Sequence, residues 1–306
     1  MGLCFCCLRG ENTKWKELRK KQGGIQKRYD IRTYTAQNER NRRNGVAGEI
    51  SDEYIYIGDK CFLNNGKVHG VTLPAGCRVV GKQAFEGCQF QKAVEFPESL
   101  VEIKRRGFAG NRRLRKVVFP HNLERIGAQC YRECSNLKVA EFEKNSKCKV
   151  ISEGIFDSCT KLERVCLPEA VKSIEKRAFY RCKELKEINL PNSVTEIGEE
   201  AFYFCGIEEL ELPTNLKIIG DSAFFRCKNL RTVYIPTSVR TIGRWAFHGC
   251  SRLECIEIFH DPDEIGPWII NKSCTIVCQK GSRIDAYAQE YGFQTEYVEI
   301  SEELDG

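Results

Sequence analysis

The sequence has little of what catalytic and membrane-spanning chains use. Its 306 residues contain only four histidines, His69, His121, His248 and His260, with no ligand-like spacing. No HExxH, GxSxG, P-loop or GxGxxG pattern is present. Those absences leave no recognisable hydrolase or nucleotide-binding chemistry, so the chain is read as a non-enzyme without a cofactor. Long hydrophobic runs are also missing: stretches such as Gly2–Leu8 are far too short to cross a bilayer. The start of the chain lacks the basic beginning and long apolar centre of a secretory signal, so no export signal is predicted. Strong charge is confined to one end. Residues 1–45 hold twelve Lys/Arg against four Asp/Glu, whereas the remainder has thirty-six against thirty-eight. A near-neutral body argues against nucleic acid as the partner.

What the chain does have is repetition. An aromatic slot recurs at Phe62, Phe85, Phe108, Tyr131, Phe156, Phe179, Phe202, Phe224 and Phe247, at intervals of 22 to 25 residues. Five residues earlier stands Ile57, Val80, Ile103, Ile126, Ile151, Ile174, Ile197, Ile219 or Ile242, often followed by glycine. A small residue usually precedes the ring. Each repeat also carries an apolar–x–apolar segment, such as Val117/Phe119 and Val233/Ile235, and proline follows seven of the nine. That alternation predicts a strand with one face inward. Proline has no N–H for a ladder, which suits the strand's exit. One such turn cannot bury its apolar side alone, so the turns are expected to stack into a continuous core.

Eighteen cysteines invite a disulfide or metal reading, but their positions follow the repeat. Three residues after the ring stand Asn65, Cys88, Asn111, Cys134, Cys159, Cys182, Cys205, Cys227 and Cys250. An Asn/Cys slot suggests a buried side chain that donates to, or tolerates, the backbone of a tight turn. Cys61 and Cys130 fill the small slot, and Cys77 and Cys148 an aliphatic one. Stacked turns lie about 4.8 Å apart, wider than the roughly 3.8 Å between Cβ atoms that a disulfide prefers. Buried reduced thiols suit a reducing compartment. Cys4/Cys7 and Cys274/Cys278 each lack a second ligand pair, so no metal is expected.

The units "SVTEIGEEAFYFC", "SVRTIGRWAFHGC" and "AVKSIEKRAFYRC", each followed by a strand ending in proline, resemble the BspA-like leucine-rich repeat family over residues 54–292. The resemblance implies an α/β fold: a leucine-rich-repeat, right-handed superhelical solenoid of about nine turns with a parallel β-sheet along one face. It also implies protein or host-surface binding without catalysis, and it carries over no fixed functional residues. The expected organisation is a basic arm over 1–45 with a short helix candidate at 13–22, a solenoid over 46–281, and a capping helix and strand over 282–306. Ser282, Asp285 and Gly292 mark the ends of that helix. The fourth turn has a two-residue insertion near "EKNSKC", with Glu143 in place of proline, and a bulge is expected there.

The expected function is a non-catalytic protein-interaction scaffold, monomeric and cytoplasmic. Gly2 with Cys4, Cys6 and Cys7 before a basic segment resembles a dually acylated terminus, although Cys6 stands where the myristoylation pattern wants Ser or Thr. That keeps open a membrane-tethered form, with membrane contact only through the N-terminus, and beside it a cell-surface adhesin or antigen. For the partner site, the outward strand row is mildly acidic (Glu95, Glu141, Glu211, Glu257) and reads as a solvated face. The position after the ring slot is more distinctive. It holds Tyr180, Tyr203, Phe225 and His248 in consecutive turns, with Trp245 nearby. Stacked turns would line these up as an interaction stripe, or the rings would pack against the surface of the next turn.

Overall fold

In the computed structural model the described residues are 32–41, 50–91 and 93–298. Each turn begins with a two-residue strand whose first side chain faces outward and whose second is mostly buried. Tyr56–Ile57, Val79–Val80, Glu102–Ile103 and Arg125–Ile126 show the pattern. Eleven such strands run parallel, in a five-stranded and a six-stranded sheet. The register holds from turn to turn, with Ile57 beside Val80, Val80 beside Ile103 and Ile103 beside Ile126. Glycine follows the isoleucine because successive turns approach closely there: a Cβ on Gly220 would lie 2.7 Å from Glu199 N.

The count of eleven turns exceeds the expected nine because both end turns lack the diagnostic phenylalanine. At the start, Thr33–Tyr34 pairs with Tyr56–Ile57, so the sheet begins inside the segment read as an arm. Tyr34 supplies the missing ring by stacking on Phe62 at 5.8 Å. At the end, Glu264–Ile265 pairs with Thr241–Ile242, and Ile269 takes the ring position, accepting the Phe247 N–H at 2.8 Å.

The nine rings form one internal column, fully or almost fully buried. Neighbouring centroids are 4.9 Å apart at Phe62–Phe85 and 5.1 Å along Phe179, Phe202, Phe224 and Phe247. Burial of each ring contributes roughly 1.5–3 kcal/mol, and offset stacking about 0.5–1.5 kcal/mol more. The cysteine slot completes the column. Cys159 Sγ–H donates to Tyr131 O at 3.1 Å, Cys205 to Phe179 O at 3.0 Å and Cys227 to Phe202 O at 3.2 Å. Asn111 does the same with its amide, to Phe85 O at 2.8 Å. The shared property of Asn and Cys at this slot is therefore a short side chain with a donor aimed at the previous turn's carbonyl.

Tyr131 is the exception in the column. Its hydroxyl is buried without a partner among the described residues, and burial pushes its pKa well up. Leaving a buried hydroxyl unpaired costs about 1–3 kcal/mol. Tyr131→Phe should therefore raise the stability measured by urea unfolding by a similar amount. A variant no more stable than the parent would mean that the hydroxyl is already satisfied.

The apolar–x–apolar segments build a second, less continuous set of parallel strands. Lys116–Phe119, Val139–Phe142 and Arg164–Cys166 form one sheet, and Thr232–Tyr234, Cys255–Glu257, Thr275–Cys278 and Gln294–Tyr297 another. Where Glu143 replaces proline, its N–H adds a bond to Phe119 O at 3.0 Å.

The insertion in the same turn interrupts the first sheet. Arg125–Ile126 and Val150–Ile151 do not pair, and the Ser152 hydroxyl donates to Ile126 O instead. A cavity of about 620 Å³ opens there, lined by residues including Glu124, Arg125, Lys147, Lys149 and Ser152. The ring column is also loosest at this level, with Tyr131 and Phe156 6.0 Å apart.

Helix is confined to the ends of the described chain: α1, Ala36–Asn41, and α2, Arg283–Tyr291. The Ser282 side chain accepts the Asp285 N–H, and Gly292 closes α2 in the left-handed conformation at φ 68. Ile284, Tyr287 and Ala288 bury α2 against the last turn, where the Tyr287 hydroxyl donates to Gly266 O at 3.1 Å. The strand Gln294–Tyr297 then pairs with Thr275–Cys278. No helix of the described residues is long and apolar enough to cross a membrane.

Candidate interaction surface

Each buried ring sits between two backbone reversals. In most turns the residues two before and two after it adopt left-handed φ. In the later turns these are Arg177 and Arg181, Glu200 and Phe204, Ser222 and Arg226, and Trp245 and Gly249. The reversals turn the ring inward and hold the next side chain at the surface. Backbone bonds fix the spacing: Arg181 N–H donates to Tyr203 O at 2.8 Å, Phe204 to Phe225 O at 2.7 Å and Arg226 to His248 O at 2.9 Å.

Tyr180, Tyr203, Phe225 and His248 consequently form a second ring column, parallel to the internal one. Their centroids are 4.8, 5.1 and 5.8 Å apart, and all four are half-buried. The rings pack on their neighbours, face to face, and their edges still reach the surface. His248 Nδ1 lies 3.1 Å from Ile270 O, which orients the last ring as a donor to that carbonyl. The structure does not bring Trp245 into the column. It stands at the left-handed position before Phe247, is 41% exposed and lies under the Arg244 guanidinium at 5.2 Å.

The cations around the stripe were not legible as a site in the sequence. Arg177 and Arg181 lie over the Tyr180 ring at 5.1 and 5.2 Å, and Arg226 over Phe225 at 5.4 Å. Phe204 has Lys183 at 5.4 Å and Lys228 at 5.6 Å. Arginine and lysine are common on surfaces. Only the shared offsets of two and four residues after the ring slot, at Arg181/Lys183 and again two turns later at Arg226/Lys228, would have marked them.

The other candidates are placed as follows. Gly2, Cys4, Cys6 and Cys7 lie outside the described residues. All fifteen described cysteines are free. Burial pushes the Cys61, Cys77, Cys88, Cys134 and Cys274 thiols up to about 12, far from the range of a reactive thiolate. Cys166 is exposed. Glu141 in the outward strand row is met by Lys116 and Arg164, as suits a solvated face.

Stacking also brings His121 beside Glu98 and Glu143, from three successive turns, with ligand-type atoms all within 4.8 Å. Spacing within one turn could not show this group. It is solvent-exposed, held by a 2.8 Å contact from His121 Nδ1 to Glu98.

A family model described as BspA type Leucine rich repeat region matches residues 55–150 and 149–277, with six copies of the repeat. No curated protein matches the sequence. Among solved structures, a leucine-rich repeat protein from Bacteroides ovatus superposes with a TM-score of 0.64 at 22% identity, over 78% of this chain and 64% of its own. The chain thus spans less than two thirds of that protein's length. A leucine-rich cell surface protein from Faecalibacterium prausnitzii gives a TM-score of 0.49 at 19% identity, over 84% of this chain and 89% of its own. The leucine-rich repeat protein of T. pallidum gives 0.41 at 26% identity, over 67% and 85%.

Proposed function

The chain belongs to the BspA-type leucine-rich repeat family, and from that membership we propose that its solenoid is a non-catalytic scaffold that holds a partner protein along the stripe Tyr180–Tyr203–Phe225–His248. The observation that carries this reading is the second ring column. Four aromatic side chains are pre-stacked, so their ordering cost is met before any partner arrives. Rigid, half-buried aromatics with basic neighbours have the composition of binding hot spots. Many of the side chains that could do chemistry are otherwise engaged. The ladder thiols are buried, His248 faces Ile270 O, and His260 Nε2 lies 2.7 Å from Val239 O.

Fifteen free thiols in the body support a reducing, cytoplasmic setting. Acylation at Gly2 and Cys4 would make the same scaffold a tethered one.

The test is the pair Tyr203→Ser and Phe225→Ser, changed together. Both side chains are at the surface, so circular dichroism should remain that of the parent. A partner identified by cross-linking in the native cell should bind the variant at least about tenfold more weakly. Undiminished binding by a folded variant would overturn the stripe as the site.

A further inference from the structure

Several cations near the stripe meet a carboxylate from the neighbouring turn. Lys176 pairs with Glu199 at 2.7 Å, Arg177 with Glu200, Lys186 with Glu208 at 3.0 Å and Arg244 with Asp221 at 2.8 Å. Around Phe204 four cations lack such a partner. Arg181, Lys183, Arg226 and Lys228 are all exposed, and none has a carboxylate partner among the described residues. They flank Phe204 in three consecutive turns, one arginine and one lysine on each side. Unlike-charge pairing between turns is easily built into a repeat, so four neighbouring unpaired cations leave a local demand for anions.

The aromatic part of the patch narrows the anion's nature. Ring faces here are occupied, by neighbouring rings along the stripe and by Lys183 and Lys228 at Phe204. What remains at the surface is ring edge, the positive part of the quadrupole. Nucleic acid without sequence preference binds by stacking bases on open aromatic faces along a charged groove. Those faces are closed, and residues 46–306 carry no net excess of basic groups. Edges and ammonium or guanidinium donors suit carboxylates instead.

We infer that the Phe204 patch is a docking site for an acidic, extended segment of a partner protein. Arg181 and Arg226 stand two turns apart, about 10 Å at the ladder spacing. In a polyproline-type segment, side chains three residues apart share a face at roughly 9 Å. A carboxylate at every third position therefore matches the two arginines, with the lysines closing over the residues between. This inference rests on the stripe as the partner surface and names the partner's chemistry.

The probe is a fluorescein-labelled peptide of four Glu-Pro-Pro repeats, measured by anisotropy on the full chain. A peptide of four Lys-Pro-Pro repeats and an oligothymidylate of equal charge serve for comparison. The Glu peptide should bind, weaken as salt is raised, and lose at least about tenfold in affinity on Arg181→Glu with Arg226→Glu. Both positions are exposed, so that variant should keep the parent's circular dichroism. An unchanged affinity for the folded charge-reversed variant overturns the inference, as does equal binding of the Lys peptide. Tighter binding of oligothymidylate overturns it in favour of nucleic acid. If the Tyr203/Phe225 variant loses its native partner while the Glu peptide fails to bind, the stripe stands and only its acidic partner falls.

Discussion

Titrated upward in the presence of reductant, the protein should lose stability steeply from about pH 9 and unfold well before pH 12. Burial raises the folded-state pKa of Cys61, Cys77, Cys88, Cys134 and Cys274 to about 12, and pushes Cys130, Cys159, Cys182 and Cys227 up as well. In the unfolded chain these thiols ionise near the ordinary value, roughly 8.5–9. A raised folded pKa means that the unfolded state sheds its proton first. The stabilisation is complete below about pH 9 and drains away as pH climbs toward the folded values.

At about pH 10 each such thiol costs roughly 1.4 kcal/mol. Nine of them exceed about 10 kcal/mol together, the order of a whole domain's stability. Surface ion pairs are worth too little to dominate this. The check is urea unfolding at a series of pH values. Cys182→Ala with Cys227→Ala should flatten the fall by about 1.4 kcal/mol per pH unit for each thiol removed. A protein whose urea midpoint is the same at pH 8 and pH 10 would show that the thiol ladder is not held neutral by burial.

The same ladder shows why much of this fold was legible and part was not. The period and the inward rings are repeated nine times and the donor role of the Asn/Cys slot eight times, so each copy corroborates the others. Ser282 and Gly292 were legible singly because capping chemistry is local. The end turns escaped because Tyr34 and Ile269 do the work of the missing phenylalanines without resembling them. The strand row also shifted. Apolar alternation pointed to Val117/Phe119 and its equivalents, whereas the longest run of pairing follows the isoleucines, whose two-residue strands are too short to alternate.

At the surface, periodicity predicted that Tyr180, Tyr203 and Phe225 would align. It could not distinguish paired from unpaired cations, because pairing lies between turns 22 or 23 residues apart and depends on side-chain direction. His121 with Glu98 and Glu143 was hidden for the same reason.

The interruption at the fourth repeat leads to the other large expected effect. Phe156→Ala should cost about 3–5 kcal/mol and split unfolding into two steps. In a stacked array, stability is approximately a sum of terms within turns and between neighbours, and cooperativity spans a junction only while its coupling is strong. Between Ile126 and Ile151 the first sheet has already lost its ladder, a cavity of about 620 Å³ stands beside it, and the rings are 6.0 Å apart. Coupling there falls on the Tyr131–Phe156 contact, the bond from Cys159 to Tyr131 O, the Ser152 hydroxyl on Ile126 O, three backbone bonds at ring level (Gln129 N–H to Glu153 O, Tyr131 N–H to Ile155 O and Glu133 N–H to Asp157 O) and the second sheet through Val139–Phe142 and Arg164–Cys166. Removing Phe156 takes away the first of these and loosens the second. Phe202→Ala removes an equal ring, but its junctions keep unbroken pairing through Glu196–Ile197 and Ile218–Ile219, so it should lower the midpoint and leave one transition.

Trp245 and Trp268 both lie beyond the interruption. With Trp15 changed to Phe, tryptophan fluorescence reports the later turns while circular dichroism reports all of them. The two signals should coincide for the parent and for Phe202→Ala, and separate for Phe156→Ala. Coincident curves in the Phe156 variant, or a loss below about 1 kcal/mol, would mean that the junction is no weaker than its neighbours and that the column is not what couples the two halves.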